Sequence, residues 1–291
     1  MNVRVRFAKY GAIKFIGHLD VLRYFQKAVR RSGLKIAYSQ GFHPHQIMSF
    51  ASPLGVGITS EGEYMDMELV ADYTPQEIVD ALNSAMVEGF TVLSARILPE
   101  PENGRKRETA MSLVTAADYL LTVKENDTFL GTKSLEELKD AWERFCGQES
   151  ISVIKKVKKS NSETNIDLKP FLYGVAVGTG VVSDSVCDAT SEASESSALS
   201  LPVVATHPSG KDFYEVPEIP DFTAEQKAVC TEKGLFSVLL RVSAGSADNI
   251  KPELVMEAFA RFMGCVETEG LKFRIHRLDM YTGENPQLKR L

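Results

Sequence analysis

Two amphipathic helix patterns, each enclosed by strand patterns, are the feature of the first hundred residues that most constrains the fold. The first pattern spans residues 17–33, and Gly33 supplies a helix stop. Its apolar positions recur at helical spacing and are Leu19, Leu22, Phe25 and Val29. The second pattern begins at Thr74-Pro-Gln-Glu77, a capping-box sequence with proline in the first turn, and ends at Gly89. Both segments are predicted to be helices that bury one face.

Strand patterns surround these two helices. Residues 3–7 alternate apolar with basic side chains, and residues 34–38 and 46–50 read as extended. Along residues 63–70 apolar side chains fall on one side and polar side chains on the other, and residues 90–98 close the series. The order β-α-β-β-α-β predicts a ferredoxin-like unit.

A second cycle of patterns follows a hinge-like linker at residues 101–117. Its strands and helices are predicted at residues 118–124, 134–146, 151–157, 166–173, 236–243, 252–264 and 273–281. Residues from about 176 to 232 are rich in Ser, Thr, Ala, Gly and acids, a composition that buries too little apolar surface to order itself. We therefore expect an α+β chain of two tandem ferredoxin-like domains, residues 1–100 and 118–291, with a flexible acidic insertion in the second.

Charge is distributed unevenly along the chain, although the net charge is only −6. Residues 1–49 contain nine Lys and Arg and a single acid, Asp20. Residues 60–102 contain ten Asp and Glu and a single base, Arg96. A basic block of this density favours an anionic partner at one face, because phosphate contacts act over about 8–10 Å.

Several functional classes lose support from composition. The sequence has no run of about 18 apolar residues, so a membrane span is not expected, and the N-terminus lacks the apolar core of a signal peptide. We expect a cytoplasmic protein. The four cysteines form no Cys-x-x-Cys pair, which removes local support for zinc-ribbon, iron–sulfur and thioredoxin-like sites. No cofactor is predicted.

The basic block supplies the first candidate site, an RNA-binding or partner-binding face. Its residues are Arg4, Arg6, Lys9, Lys14, Arg23, Lys27, Arg30 and Arg31. The alternatives are a solvated helix face and a docking surface, either for an acidic protein or for the chain's own acidic insertion.

Histidines supply the second candidate site. His43 and His45 flank Pro44, and His18 lies at the start of the first helix. The three side chains could bind a metal ion, or supply acid–base groups for RNA cleavage at near-neutral pH. The favoured interpretation is a structural or ligand-contacting role: His43 and His45 would hydrogen-bond within the loop that also holds Ser39 and Gln40, and His18 would cap or pack the first helix.

The segment after the histidines carries glycines, aromatic residues and acids. Gly-Val-Gly at residues 55–57 precedes a strand rather than a helix, so it does not match a nucleotide-binding loop. Tyr64 is the best candidate for stacking on a base, whereas Phe42 and Phe50 are expected in the core. The acids in this segment are expected to form ion pairs with Lys or Arg side chains or to face solvent, rather than to hold a divalent ion. They are Glu61, Glu63, Asp66 and Glu68.

Five motifs together resemble a bacterial family, the radical SAM-associated domain. They are Lys9-Tyr-Gly11, His18-Leu-Asp20, Ala28-Val-Arg-Arg-Ser-Gly33, Tyr38-Ser-Gln-Gly-Phe-His-Pro-His45 and Gly55-Val-Gly-Ile-Thr-Ser-Glu-Gly-Glu-Tyr-Met-Asp66. The resemblance implies a companion role beside a radical SAM protein. The chain has no Cys-x-x-x-Cys-x-x-Cys motif and so is not itself expected to be a radical SAM catalyst. A looser similarity of architecture links it to CRISPR repeat-processing endoribonucleases.

These observations predict a non-catalytic RNA-binding or adaptor protein that acts beside a radical SAM or RNA-processing enzyme. The RNA would be a tRNA or an rRNA, the protein partner a radical SAM protein, and no membrane would be involved. The alternatives are an endoribonuclease that uses His18, His43 or His45, and a protein–protein scaffold without nucleic acid. The oligomeric state is left open.

Overall fold

The computed structural model shows a mixed α+β protein. It describes residues 1–101, 107–124, 126–157, 162–179, 236–245, 248–284 and 288–291. The strands are β1 (Asn2–Lys9), β2 (Met48–Phe50), β3 (Thr59–Glu68), β4 (Phe90–Leu98), β5 (Ala116–Val123), β6 (Ser152–Val157), β7 (Ser162–Asp167), β8 (Leu172–Thr179), β9 (Phe236–Ser243), β10 (Phe273–Thr282) and β11 (Lys289–Arg290). The helices are α1 (His18–Ser32), α2 (Pro75–Ser84), α3 (Ala110–Leu113), α4 (Leu135–Cys146) and α5 (Pro252–Phe262).

The chain divides into two compact units. The first contains Met1–Ala117, Ala244–Ala247 and His276–Leu291. The second contains Asp118–Ser243 and Asp248–Ile275. Both units are discontinuous in sequence, whereas the predicted domains are continuous, and the predicted division stays a prediction.

The first unit is built on a mixed sheet with the strand order β4-β1-β3-β10, in which β2 also pairs with β3 and β11 with β10. Strand β1 runs antiparallel to β3 and β4, and β10 runs parallel to β3. Val3 and Val5 lie opposite Met67 and Met65, so one face of the sheet is apolar. Helices α1 and α2 contribute to the core on that face.

Local signals explain both helices of this core. Helix α1 ends at Gly33, whose φ of 79° is in the left-handed region, as predicted. Helix α2 begins with the predicted capping box, since Thr74 Oγ1 accepts from the Glu77 N–H and Glu77 Oε2 accepts from the Thr74 N–H at 2.7 Å. The helix ends at Ser84, before the predicted stop at Gly89. Gly89 instead accepts a hydrogen bond from the Tyr10 N–H through its carbonyl.

Residues 34–38, which read as extended in the sequence, do not form a regular strand. Only isolated bridges occur there, from Ile36 to Leu69 and from Tyr38 to Gln46. The reason is that β3 already pairs with β1 on one side and with the short β2 on the other.

In the second unit, β5, β9 and β8 follow one another in the sheet, and β8 runs antiparallel to β9. Strands β6 and β7 form a separate antiparallel pair. Helix α4 begins at the predicted Ser134, which accepts a hydrogen bond from the Glu137 N–H. Trp142 of α4 packs edge to face on Phe259 of α5, with ring centroids 4.6 Å apart.

The predicted acidic insertion, residues 176–232, lies almost entirely outside the described residues. Its first four residues belong to β8, which extends to Thr179. In the part of the chain that the structure describes, no helix has the length and apolar character needed to cross a membrane.

Candidate polyanion-binding face and its surroundings

Helix α1 presents a basic face to solvent. Its buried residues, Val21, Phe25, Ala28 and Val29, lie toward the core of the first unit. The exposed basic side chains, which we call the α1 basic face, are Arg23, Lys27, Arg30 and Arg31. Their spacing of three or four residues places them along one side of the helix.

Little acid opposes these cations on the helix itself. The only carboxylate in α1 is Asp20, and its Oδ1 lies 3.4 Å from Nη1 of Arg23. Both side chains of this pair are well exposed, and exposed pairs of this kind contribute about 0–1 kcal/mol. Among the described residues Lys27 has no salt-bridge or hydrogen-bond partner for its ammonium group. Most of the charge on the face is therefore available to a ligand.

Arg30 and Arg31 are held by main-chain carbonyls rather than by carboxylates. The Nε of Arg30 donates to the Gln26 carbonyl at 3.2 Å, and Nη2 of Arg31 donates to the Ala85 carbonyl at 2.8 Å. These contacts orient the guanidinium groups without neutralising them. The two arginines also lie in the last turn of α1, where cations are favoured by the helix dipole. They thus have a structural role as well as a free positive charge.

An exposed apolar patch borders the N-terminal end of the α1 basic face. Phe15, Leu19 and Val56 expose 65%, 64% and 63% of their surface. The Gly57 N–H donates to the Lys14 carbonyl at 2.8 Å and thereby fixes the loop that carries Val56 beside the segment that carries Phe15. The ammonium group of Lys14 lies 5.2 Å from the ring centroid of Phe15. Apolar and cationic groups therefore meet at this end of the helix.

The basic residues of β1 lie inside the first unit instead. Arg4 and Arg6 are buried, although the sequence placed them in the candidate RNA-binding or partner-binding face. Arg4 makes a bidentate pair with Asp66, with N–O distances of 2.7 and 3.0 Å, and Nη2 of Arg6 lies 3.4 Å from Oδ2 of Asp279. Segments from later in the chain cover this face: the Ala110 N–H donates to Asp66 at 2.6 Å. The two arginines are therefore not part of the solvent-exposed basic surface.

Tyr64 is also buried, in contact with Asp279. Its hydroxyl donates to Oδ1 of Asp279 at 2.5 Å, and Nε of Arg290 lies 2.5 Å from Oδ2 of the same carboxylate. Burial raises the pKa of Asp279, and the guanidinium groups of Arg6 and Arg290 oppose that effect. Burial, reinforced by the Asp279 charge, also raises the pKa of Tyr64. The Tyr64 ring has no free face for a base, because the residue is only 4% exposed.

Lys9 ends β1 in a buried cluster of charges. Its ammonium group donates to the Ile16 carbonyl at 3.1 Å. Glu63 accepts from the guanidinium group of Arg277, whose Nη2 also donates to the Ser52 carbonyl at 2.8 Å. Burial lowers the pKa of Lys9, and the nearby Glu63 carboxylate acts in the opposite direction. Lys9 is therefore an internal cation and is not presented to a polyanion.

A small cavity adjoins this cluster. Its volume of about 10 Å³ is close to the space that one water molecule needs. It is lined by Phe7, Lys9, His18, Val21, Phe50, Ala51, Ser52, Pro53, Leu54, Glu63 and Tyr64. His18 contacts Phe50 edge to face at 5.6 Å. Of the three predicted histidines, only His18 lines this cavity.

The loop of residues 39–45 is a rigid projection. Ser39 and His45 are joined three times: the Ser39 N–H donates to the His45 carbonyl, the His45 N–H donates to Ser39 Oγ, and Ser39 Oγ lies 2.8 Å from His45 Nδ1. Gly41 has a φ of 115° at the turn. Gln40, Phe42 and His43 are exposed at its tip. Phe42 is therefore not a core residue, contrary to the expectation, whereas Phe50 is.

The three candidate histidines are divided between two parts of the first unit. No group of three or more His, Cys, Asp or Glu side chains with suitable placement occurs within the described ranges. His18 lies over Phe50 at the start of α1, whereas His43 and His45 belong to the projecting loop. The acids of β3 pair as expected: Asp66 with Arg4, Glu63 with Arg277, and Glu61 with His276 at 3.7 Å.

Sequence patterns missed the residues that join β3 to the end of the chain. Arg277 and Asp279 of β10 complete the buried charge clusters, and Gly62 allows β10 to approach β3 closely. A Cβ atom at Gly62 would lie 2.7 Å from the Leu278 carbonyl oxygen, and closer still to Cα of Asp279. The available signal was the density of ionisable side chains at residues 274–279, four in six positions, which is unusual for a strand interior.

Comparison with known proteins gives a family and little else. The search of curated proteins finds no match. Among solved structures, an unknown protein from Galdieria sulphuraria aligns over 95% of this chain and 97% of its own, at 12% identity. Its TM-score of 0.22 is too low to support a shared fold. A family model described as an uncharacterized protein conserved in bacteria (DUF2344) matches residues 2–201, more than half of the chain, and the protein therefore belongs to this family.

Proposed function

We propose that this protein binds RNA through the α1 basic face and serves as a non-catalytic RNA-binding or adaptor protein. The observation that carries this proposal is the exposure of four cations along one side of α1, opposed on that helix by a single carboxylate. Such a row matches the spaced negative charges of a phosphate backbone.

The burial pattern narrows the candidate surface. Arg4, Arg6, Lys9 and Tyr64 are enclosed in the first unit, so the proposed contacts come from α1 and from Lys14 at its start. His43 and His45, with Ser39 and Gln40, stay proposed as contacts of the projecting loop. We expect the α1 basic face to supply most of the binding energy, because phosphate contacts dominate the affinity for RNA.

A salt titration tests the proposal. Binding of bulk tRNA and rRNA to the full chain is measured from about 50 to 200 mM salt, where affinity should fall steeply as counterions are released. The variant with Arg23, Lys27 and Arg30 all changed to Glu should lose at least tenfold in affinity at the lowest salt. Its salt dependence should also flatten.

A matched control separates the face from the overall charge. Changing Lys139, Arg144 and Arg261 to Glu makes the same change in net charge on helices α4 and α5 of the second unit. That control should bind nearly as well as the unchanged chain. Equal losses in both variants, or no binding at about 50 mM salt, would contradict the proposal.

A catalytic alternative can be read from the same assay. His18 lies in a cavity with Lys9 and Glu63, which places three ionisable groups together. If the protein is an endoribonuclease that uses His18, RNA cleavage should occur and should vanish in His18→Asn while binding survives. Intact RNA after prolonged incubation favours the non-catalytic proposal.

Two further parts of the proposal concern context. The five motifs between residues 9 and 66 resemble the radical SAM-associated domain, and a radical SAM enzyme is therefore the proposed protein partner. We also infer that the first unit is ferredoxin-like, supported by its element order β1-α1-β2-β3-α2-β4 and by the pairing of β2 with β3. The tandem arrangement extends this inference to the second unit, where α4 follows β5 and α5 follows β9.

A further inference from the structure

The patch formed by Phe15, Leu19 and Val56 distinguishes this end of α1 from an ordinary solvated helix. Each of these side chains exposes more than three fifths of its surface. Single exposed apolar residues are normal, but here three are concentrated, one in the first turn of α1 and two in the segments that carry Phe15 and Val56. The hydrogen bond from Gly57 N–H to the Lys14 carbonyl holds two of those segments together.

The patch is joined to the cations of the α1 basic face. Leu19 precedes Arg23 by four residues and Lys27 by eight, so the three lie along one side of the helix. Lys14 lies over the ring of Phe15 at 5.2 Å. An exposed aromatic ring three residues before α1 is therefore followed by a row of positive charges along the helix.

From this juxtaposition we infer that the RNA bound by the α1 basic face is single-stranded, with a base stacked on the Phe15 ring and the phosphates following Arg23 and Lys27. This inference rests on the proposed function and names its substrate class. A base within a duplex has both faces covered by its neighbours and is not available to an aromatic ring. An unpaired base stacks on a ring irrespective of its sequence, and stacking adds to the electrostatic contacts along the backbone.

The test compares two RNA probes on the full chain by fluorescence anisotropy at about 50 mM salt. One probe is an unstructured single strand of about 12 nucleotides, and the other is a blunt RNA duplex of the same length. Phe15→Ala should weaken binding of the single strand by about tenfold, which corresponds to about 1.4 kcal/mol, and leave duplex binding unchanged.

Conservative variants separate stacking from apolar contact and from folding. Phe15→Tyr keeps the ring and should bind the single strand as the unchanged chain does, whereas Phe15→Leu removes the ring and should behave like Phe15→Ala. The inference is overturned if Phe15→Leu binds as well as the unchanged chain, or if Phe15→Ala weakens both probes equally.

The outcomes for the two proposals differ. If the triple variant of Arg23, Lys27 and Arg30 loses both probes while Phe15→Ala loses neither, the α1 basic face is confirmed and the single-strand inference fails. If the unchanged chain binds neither probe, the proposed function fails, and the single-strand inference fails with it.

Discussion

The basic residues of β1 and those of α1 come from the same block of sequence and have opposite fates. Arg4 and Arg6 are enclosed and paired with Asp66 and Asp279, whereas the side chains of the α1 basic face extend into solvent. A strand in the middle of a sheet has two faces to cover, and in the first unit both faces of β1 are buried. A helix that packs on the outside of a sheet buries only one of its faces and leaves the other in solvent. The position of each element within the layers therefore decided which charges remain available for a ligand.

The buried pair of Arg4 and Asp66 should be the costlier charge to disturb. Asp66→Ala should lower the free energy of unfolding by about 3–5 kcal/mol, because it leaves the Arg4 guanidinium group buried without a counter-charge. Denaturant unfolding measures the change. Lys27→Ala, on the exposed face, should stay within about 0.5 kcal/mol of the unchanged chain.

The double variant sharpens this contrast. Replacing Arg4 by Met together with Asp66 by Leu removes both charges, and it should recover much of the stability lost in Asp66→Ala. Equal effects of Asp66→Ala and Lys27→Ala would show that Arg4 is hydrated in the folded protein, and that the distinction between the two regions is wrong.

Gly62 tests the packing that encloses the β1 charges. Gly62→Ala should destabilise the protein by about 2 kcal/mol or more, because the added Cβ would meet the main chain at Leu278 and Asp279. The measurement is the shift in the midpoint of thermal or denaturant unfolding. Ser94→Ala, at an exposed position of β4, is the control and should cost less than about 0.5 kcal/mol. A tolerated Gly62→Ala would mean that β10 does not lie so close to β3.

The smallest of the expected effects is a difference in pKa shift between a buried carboxylate, Asp279, and an exposed one, Glu77. Burial raises the pKa of Asp279, whereas the main-chain and side-chain hydrogen bonds from Thr74 lower the pKa of Glu77. The contribution of Asp279 to stability is therefore greatest below its ordinary pKa and declines as the pH rises toward the raised value. The contribution of Glu77 is present above its ordinary pKa and is lost as the pH falls through its lowered value.

Carboxyl carbon chemical shifts followed by NMR against pH measure both groups in one experiment. Asp279 should titrate above an unfolded-state aspartate and Glu77 below an unfolded-state glutamate. Asp279 titrating below the unfolded-state value would mean that Arg6 and Arg290 outweigh its burial.

Much of the first unit could be predicted because its signals are local. The capping box of α2 and the glycine stop of α1 depend on residues within one turn of each other. The exposed cations of α1 follow from its helical spacing. The burial of Arg4, Arg6 and Tyr64 could not be predicted from local patterns. Alternation along a strand shows which side chains share a face, but it does not show whether the polar face of the sheet is covered by another part of the chain.

The exposure of Phe42 shows the opposite error. Phe42 was expected in the core, yet the hydrogen bonds between Ser39 and His45 close the loop outward and leave the Phe42 ring in solvent. Hydrophobicity alone does not reveal the direction in which a loop projects.

The sequence by itself determined the helices, their caps, the alternating faces of β3 and the uneven distribution of charge, because each depends on neighbours a few residues apart. The tertiary structure decided which of the basic residues are internal. The partner of Arg4 lies 62 residues away, and the carboxylate that meets the Tyr64 hydroxyl lies 215 residues away. Contacts over such separations form only when strands distant in the sequence meet in one sheet. The pairing of β1 with β3, and of β3 with β10, buried the cations of β1, whereas the α1 basic face stayed exposed.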